Sequence, residues 1–224
     1  MKKILLTITL VTFLGSSLSI QANLLNTKAN KAQRIADKAR NLKPSVVKLA
    51  MKASDNAKKL GVKSDKSIIT LIDYSLPSTK KRLWVVDVDK EKVLYSSLVA
   101  HGKNSGKEKT ISFSNTPRSR QTSIGLFLTE NTYTGNHGYS LRMQGLEKGF
   151  NDNAKRRAIV IHGANYVNEK IALSGRIGRS WGCPAIEQHL TKPIINTIKN
   201  GTLVFAFYPD KNWLEKSRFF NFRI

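Results

Sequence analysis

From Ser67 onward the chain is a succession of short runs rich in Val, Ile, Leu and aromatic residues, each cut off by a polar stretch. That texture fits β-strands and leaves little room for long helices. The runs are Ile68 to Tyr74, Leu83 to Val88, Val93 to Ala100, Ile124 to Thr129, Tyr139 to Arg142, Ala158 to His162 and Leu203 to Tyr208. Asp89-Lys90-Glu91-Lys92 reads as a hairpin loop. Gly102 to Thr122 is a long polar loop, of a length usually kept for function. Gln188 to Lys199 has helical character, with Asn200-Gly201 as its stop. The expectation is one mainly β domain over 67–210, a sandwich or barrel with a few short helices. It is large enough to bury a proper core. Residues 211–224 read as a C-terminal tail.

The stretch before it is different. Residues 23–66 are rich in Lys, Ala and Asn and contain no aromatic residue. Ala29, Ala32, Ile35, Ala39 and Leu42 recur at helical spacing. Pro44 opens a second candidate helix, with Val46, Leu49, Ala53, Ala57 and Leu60 on one face and Gly61 as its stop. A basic helical N-terminal extension, packed loosely on the β domain, is expected; a membrane-surface or wall-binding arm is the alternative.

Residues 1–22 carry Lys2 and Lys3, then an apolar run from Ile4 to Ile20 and the small-residue site Ser19-Ile20-Gln21-Ala22. The run is shorter than the roughly 18 apolar residues of a spanning helix. It reads as a signal peptide, and predicts export to the periplasm, the cell envelope or the medium without a transmembrane segment in the mature chain. Loss of Lys2 and Lys3 would lower the formal charge from +23 by two, to +21. Such a charge points to anionic partners. With no finger, helix-turn-helix or RNA-binding motif, nucleic acid is not expected. Anionic envelope polymers and carboxylate-bearing peptidoglycan stem peptides fit better.

Within this context the one cysteine, Cys183, gains weight. Exported proteins pair their cysteines or dispense with them, because the compartment oxidises exposed thiols. Cys183 sits in Ser180-Trp181-Gly182-Cys183-Pro184, twenty-one residues after His162. Ala158 to Ile161 is a buried-looking strand that delivers His162-Gly163 at its end. His162 is the candidate base and Cys183 the candidate nucleophile. Gly175, Gly178 and Gly182 allow a tight turn whose backbone N–H groups converge, as an oxyanion hole requires. Arg176 and Arg179 add positive potential that favours the thiolate and attracts carboxylates. The competing reading is a buried inert cysteine beside a structural histidine. The enzymatic reading expects the sulfur and a His162 ring nitrogen within about 4 Å of each other, in a cleft with Arg176 or Arg179 at its rim.

His162-Gly163, followed seventeen residues on by Ser180-Trp181-Gly182-Cys183, resembles the catalytic signature of the L,D-transpeptidases (YkuD-type murein cross-linking enzymes). Ser114-Asn115-Thr116-Pro117 leading to Gly125-Leu126-Phe127 is similar to another stretch of that fold. Tyr139-Ser140-Leu141-Arg142 and Gly182-Cys183-Pro184-Ala185 look most like the murein L,D-transpeptidase catalytic domain branch. The resemblance spans roughly Ser67 to Pro209. It implies Cys183 as nucleophile, His162 as base, the Gly163 carbonyl orienting the imidazole, and N–H groups of Trp181, Gly182 and Cys183 as oxyanion hole. It implies acyl transfer on peptidoglycan stem peptides, with no metal and no cofactor. Trp181 stands where many members have histidine, and Pro184-Ala185 replaces a pair that commonly ends in Arg or Asn. Arg142, Arg176 or Arg179 is expected to supply the missing donor-binding group. Ser180, Tyr139 and His101 are further candidate substrate contacts, and His137 ranks beside His101 as a loop histidine. A hydrolase on the same scaffold, and a non-catalytic basic envelope-binding protein, stay open as alternatives.

Overall fold

The computed structural model describes residues 26–64 and 66–221, so the expected signal peptide lies outside the described residues. Two helices come first, α1 (26–36) and α2 (Pro44–Lys59). The strands are β1 (Ile68–Asp73), β2 (Leu83–Asp87), β3 (Lys92–Ser97), β4 (Val99–Ala100), β5 (Gly125–Gly135), β6 (Gly138–Gly145), β7 (Val160–Ala164), β8 (Ala185–Glu187) and β9 (Leu203–Phe207). Short helices α3 (Glu169–Ala172), α4 (Thr191–Ile198) and α5 (Lys211–Lys216) fill the connections and the C-terminal end.

All the strands join one nine-stranded sheet in the order β3-β2-β1-β9-β5-β6-β7-β8-β4. Its two edges, β3 and β4, are separated in sequence by Leu98 alone. The sheet therefore bends round until its edges meet through one stretch of chain. The result is a nearly closed, barrel-like fold, the mainly β class expected from the sequence. Most neighbours are antiparallel; β1 with β9 and β7 with β8 are parallel.

Alternation along the strands assigns the two faces. Ile69, Leu71, Trp84, Val86, Leu203 and Phe205 point outward into one core, while Ile72, Leu83, Val85, Val204 and Ala206 fill the interior. Both faces are buried, which is why the runs are apolar throughout instead of alternating with polar residues. The outward core is completed by Ala32, Ile35, Val46, Val47, Ala50 and Ala57 from α1 and α2. The N-terminal helices are thus integral to the core and not loosely packed. Basic side chains cover their outer side, and Arg34 reaches Glu91 in the β2–β3 turn.

The C-terminal segment is likewise no free tail. Trp213 and Phe219 are fully buried, Trp213 against Phe205 and Phe207, and the Trp213 indole N–H donates to Glu147 at 3.0 Å. Among the described residues no helix is long and apolar enough to cross a membrane.

Candidate active site

The pairing of β7 with its neighbours builds the site. Ser140 of β6 lies opposite His162 on one side, and Ala185 of β8 lies opposite it on the other. Cys183, two residues before Ala185, falls level with the start of β7. Its sulfur accepts a hydrogen bond from the Val160 N–H at 3.5 Å and lies 3.6 Å from the Ala158 carbonyl, to which the thiol donates. His162 and Val160 are two residues apart on the same side of the strand, about 7 Å along it. The sulfur makes no hydrogen bond to His162, so the resting thiol is held by backbone of β7 one strand repeat short of the imidazole.

His162 is buried, and its Nδ1 lies 2.9 Å from the Gly163 carbonyl. Donation of Nδ1–H to that oxygen leaves Nε2 with its lone pair free for a proton. Burial lowers the His162 pKa, the Gly163 bond opposes that, and the nearby His137 lowers it further. Gly163 packs against the next segment of chain: a β-carbon there would meet Thr191 Oγ1 at 2.1 Å and Gln188 Oε1 at 2.7 Å. Its lack of a side chain serves the fit of the segment after β8 and not the approach of a substrate.

The turn before the thiol is held by Ser180. Its hydroxyl donates to the Cys183 carbonyl at 2.6 Å and accepts from the Gly182 N–H at 3.1 Å. Ser180 is buried and shapes the turn. The Gly182 N–H is therefore already engaged, whereas the N–H groups of Trp181 and Cys183 have no partner among the described residues. Gly182 has φ +130°, and a β-carbon there would sit 2.8 Å from the Gln121 carbonyl. Only glycine meets both conditions.

Burial pushes the half-buried Cys183 thiol up in pKa; the Val160 N–H bond and the charge of Arg157 pull the other way. Arg157 was not among the residues expected from sequence. It immediately precedes Ala158-Ile159-Val160, and its guanidinium donates to the Ser114 and Gln121 carbonyls and the Ser119 and Ser123 hydroxyls. It thereby sews the long 102–122 loop to the strand beneath the thiol.

The other expected residues fall elsewhere. Arg179 donates to the Lys103 and Gly106 carbonyls, both at 2.8 Å, and fixes that loop. Arg176 is exposed and makes no hydrogen bond or ion pair among the described residues. Arg142 lies over the Tyr133 ring at 4.1 Å, and Tyr139 donates to Asn196 on α4 at 2.8 Å. His101 is completely buried beside Arg82, with Nδ1 2.8 Å from Nη2, and cannot line a cleft. Burial first, and then the charge of Arg82, bring the His101 pKa down to about 4.

His137, ranked low from sequence, does reach the site. Gly135 pairs with Gly138, so Asn136 and His137 form the tip of the β5–β6 hairpin. The tip folds over β7, where His137 stacks on His162 at 4.4 Å between ring centroids. The sequence signal is Gly135-Asn136-His137-Gly138 directly before the Tyr139 to Arg142 run, a pattern suited to a two-residue hairpin once β5 extends to Gly135.

Two clefts are lined by residues of this region, one by the imidazole and one by Arg157 and Trp181. One, of about 500 Å³, is lined by His137, His162, Gly163, Tyr166 and Gln188 among others. The other, of about 790 Å³, is lined by Pro117, Arg118, Arg120, Arg156, Arg157 and Trp181.

A half-buried thiol and a buried imidazole, both beside β7 of a near-closed sheet, are the candidate site on a barrel-like scaffold. The L,D-transpeptidase catalytic domain model matches residues 38–207, and the chain belongs to that family. The match takes in α2, and so begins well before the expected boundary at residue 67.

No curated protein matches the chain. Among solved structures, an L,D-transpeptidase from Mycobacterium smegmatis is similar at 11% identity and a TM-score of 0.39, over 64% of this chain and 59% of that one. The protein Bd1075 of Bdellovibrio bacteriovorus is similar at 14% and 0.40, over 68% and 53%. An L,D-transpeptidase from Stackebrandtia nassauensis is similar at 15% and 0.40, over 82% and 92%. The chain thus spans between a half and three fifths of the length of the first two structures.

Proposed function

We propose that the chain is an exported cysteine acyltransferase that acts on peptidoglycan stem peptides through a Cys183 thioester, with His162 as base. The observation that carries this reading is the His162 ring, fixed through Nδ1 on the Gly163 carbonyl at 2.9 Å, one strand repeat from a half-buried thiol. Both groups have pKa values displaced toward their neutral forms. The resting pair is therefore thiol and imidazole, and proton transfer accompanies substrate binding.

In the proposed reaction the thiol leaves the Ala158 carbonyl, gives its proton to His162 Nε2, and the sulfur attacks the donor carbonyl carbon. The oxyanion is placed against the N–H groups of Trp181 and Cys183, which have no other partner among the described residues. Collapse expels the terminal residue as an amine, which takes the proton from His162, and leaves the acyl group on sulfur. An acceptor amine then attacks the thioester, yields its proton to His162, and sulfur leaves to regain that proton.

The test is intact-mass analysis of the mature protein with tetrapeptide stems, with and without an amine acceptor, beside Cys183→Ala. An adduct on Cys183 that the amine converts to cross-linked product is the expected result. Turnover to tripeptide alone would make the protein a hydrolase. Without any adduct, and with wall-polymer binding intact in Cys183→Ala, the catalytic reading would fall.

A further inference from the structure

The outer side of the two N-terminal helices has no part in the site described so far, yet it is the most densely charged surface of the protein. Residues 26–64 carry eleven Lys and Arg against two Asp and no Glu, a net +9 in 39 residues. Residues 66–221 carry 24 against 12, a net +12 spread over 156. Helical geometry gathers the charge of α2 on one side. At 3.6 residues per turn, Lys48, Lys52 and Lys59 fall within about 40° of one another, and roughly opposite Ala50, Ala53 and Ala57, which are buried on the sheet. All three lysines are exposed and make no ion pair among the described residues. The one acidic member of the stripe, Asp55, is already paired with Lys28 of α1. Arg40 and Lys43, both exposed, carry the charge across the turn between the helices.

What this face fits follows from what it holds and lacks. The apolar sides of both helices are spent on the core, and none of the exposed large apolar side chains lies on them. Nothing on the face can therefore enter hydrocarbon. No aromatic residue occurs over 26–64, so neither sugar rings nor bases have a platform to stack on. The stripe is lysine, whose ammonium is a hydrated point charge without the fork that grips a single phosphate or carboxylate. A row of point charges on flexible stems suits a fluid array of phosphate headgroups, which needs no fixed spacing.

The sheet order fixes where the face lies. α2 packs on β1 and β9. From β1, β7 is reached through β9, β5 and β6, and β8 is reached the other way through β2, β3 and β4. Each is four strands off in a near-closed sheet of nine, so the wall that carries His162 and holds Cys183 stands across the barrel from the helices. His162 and Val160 alternate with Ile159 and Ile161, which fill the interior, so the imidazole faces outward on that far wall.

We infer that the outer face of α1 and α2 is an electrostatic docking surface for a bilayer containing anionic phospholipid, and that it holds the protein with Cys183 and His162 turned away from the membrane. The inference stands apart from the acyl-transfer reading, because neither thiol nor imidazole takes part in it. Docked this way, the protein rests on the headgroups without entering the bilayer and presents its site to what lies beyond them.

Sedimentation of the mature chain with sucrose-loaded vesicles tests the surface. Binding is expected on phosphatidylcholine vesicles that contain phosphatidylglycerol, not on phosphatidylcholine alone, and should weaken steeply with salt. One basic residue near an anionic surface is worth about fivefold in partition, so Lys48→Gln/Lys52→Gln/Lys59→Gln should weaken binding about a hundredfold. Lys170→Gln/Arg176→Gln/Lys192→Gln removes the same charge from exposed positions on the crossover and α4, beside β7 and β8, and should cost less than about fivefold. Melting temperatures check the fold of each variant. Equal losses in the two triple variants would reduce the effect to overall charge and overturn the docking face, as would equal binding to uncharged vesicles. Capture by purified murein or polyphosphate but not by vesicles would give the face to a polymer and overturn the lipid. Orientation is read with bimane in a Cys183→Ala background. At Ser45→Cys, exposed on α2, headgroup-nitroxide lipid should quench it; at Asn136→Cys, on the hairpin tip beside His137, it should not. Equal quenching at both would overturn the orientation. Acylation of Cys183 by a soluble stem peptide should be the same in wild type and in the α2 lysine variant, so the docking surface and the acyltransferase reading fail separately.

Discussion

Arg157 is predicted to serve two purposes that one pair of substitutions can separate. Its guanidinium makes hydrogen bonds to the Ser114 carbonyl (2.6 Å), the Ser119 hydroxyl (3.2 Å), the Gln121 carbonyl and the Ser123 hydroxyl. Hydrogen bonds from a charged donor contribute about 1.5–3 kcal/mol each, and not additively. Glutamine can keep one or two of them, so Arg157→Gln should cost about 2–4 kcal/mol. For a domain of this size that lowers the melting temperature by roughly 5–15 °C, read by circular dichroism. Arg157 is also the cation that restrains the upward shift of the Cys183 pKa. Without it the thiol should rise further, and alkylation by iodoacetamide should slow at fixed neutral pH, with its rate profile displaced to alkaline pH. Arg157→Lys keeps the charge and loses the forked geometry. It should retain most of the wild-type alkylation profile while melting nearly as low as Arg157→Gln. If Arg157→Gln melted within about 1 °C of wild type, the account of the loop would be wrong. An unchanged alkylation profile would refute the electrostatic half.

Three further outcomes are expected. Burial chiefly, with a contribution from His137, holds the His162 pKa below 6.5, and the neutral imidazole is the proposed base. His137→Ala should let that pKa rise, moving the acid limb of kcat/KM for acyl transfer to higher pH; a limb that stays put would remove His137 from the site. His101 has a folded pKa of about 4 against an ordinary 6.5, so on acidification the unfolded chain takes a proton that the folded one refuses. Stability contributed by neutral His101 is full above pH 6.5 and falls by up to about 1.4 kcal/mol per pH unit toward pH 4. Urea unfolding across that window should show the slope in wild type and a flatter one in His101→Gln; equal slopes would discount His101. Trp213→Ala removes a fully buried indole and the donor to Glu147 Oε2, and should cost about 3–5 kcal/mol. An unaltered denaturation midpoint would mean that α5 does not complete the core.

The strands were legible because apolar runs broken by turn residues survive any tertiary arrangement. The expected runs found β1, β2 and β9 within a residue, and placed β5, β6 and β7 without their full extents. Val93 to Ala100 is one apolar run in the sequence, whereas the structure has β3 and β4, parted at Leu98 as the chain crosses from one edge of the sheet to the other. β8 was missed because Ala185-Ile186-Glu187 is too short to carry a period. The helical face of α2 was legible at Val46, Ala53 and Ala57, but its closeness to the sheet was not. The reason lies in β1 and β9: their outward residues, Ile69, Leu71, Leu203 and Phe205, need a cover that only distant segments supply. Local pattern says that a strand is buried on both sides and not by what. The same limit hid Arg157 and His137, whose roles arise from a loop and a hairpin tip far away in sequence.

The spacing between His162 and Cys183 has a structural cause. β7 and β8 are parallel neighbours, with His162 opposite Ala185, and a parallel pair cannot be closed by a tight turn. The chain must leave the C-terminal end of β7, return along the outside, and re-enter beside the end where β7 began. Residues 165–184 make that journey, with α3 on the way and Val167 and Ile177 packed under it against Leu98, Ala100 and Ala185. The interval is therefore the length of a crossover, and it may vary only as far as the crossover can. Position within it is stricter. A shift of one residue at Cys183 would take its sulfur away from the Val160 N–H and the Ala158 carbonyl that hold it. Gly182, the Ser180 hydroxyl and Pro184 sit around that point, where the returning chain must stop its irregular path and enter β8 in one register. The histidine, the spacer and the Ser-Trp-Gly-Cys turn are thus one device. The strand fixes the imidazole, the crossover brings the chain back to its start, and the turn sets the face on which the sulfur emerges.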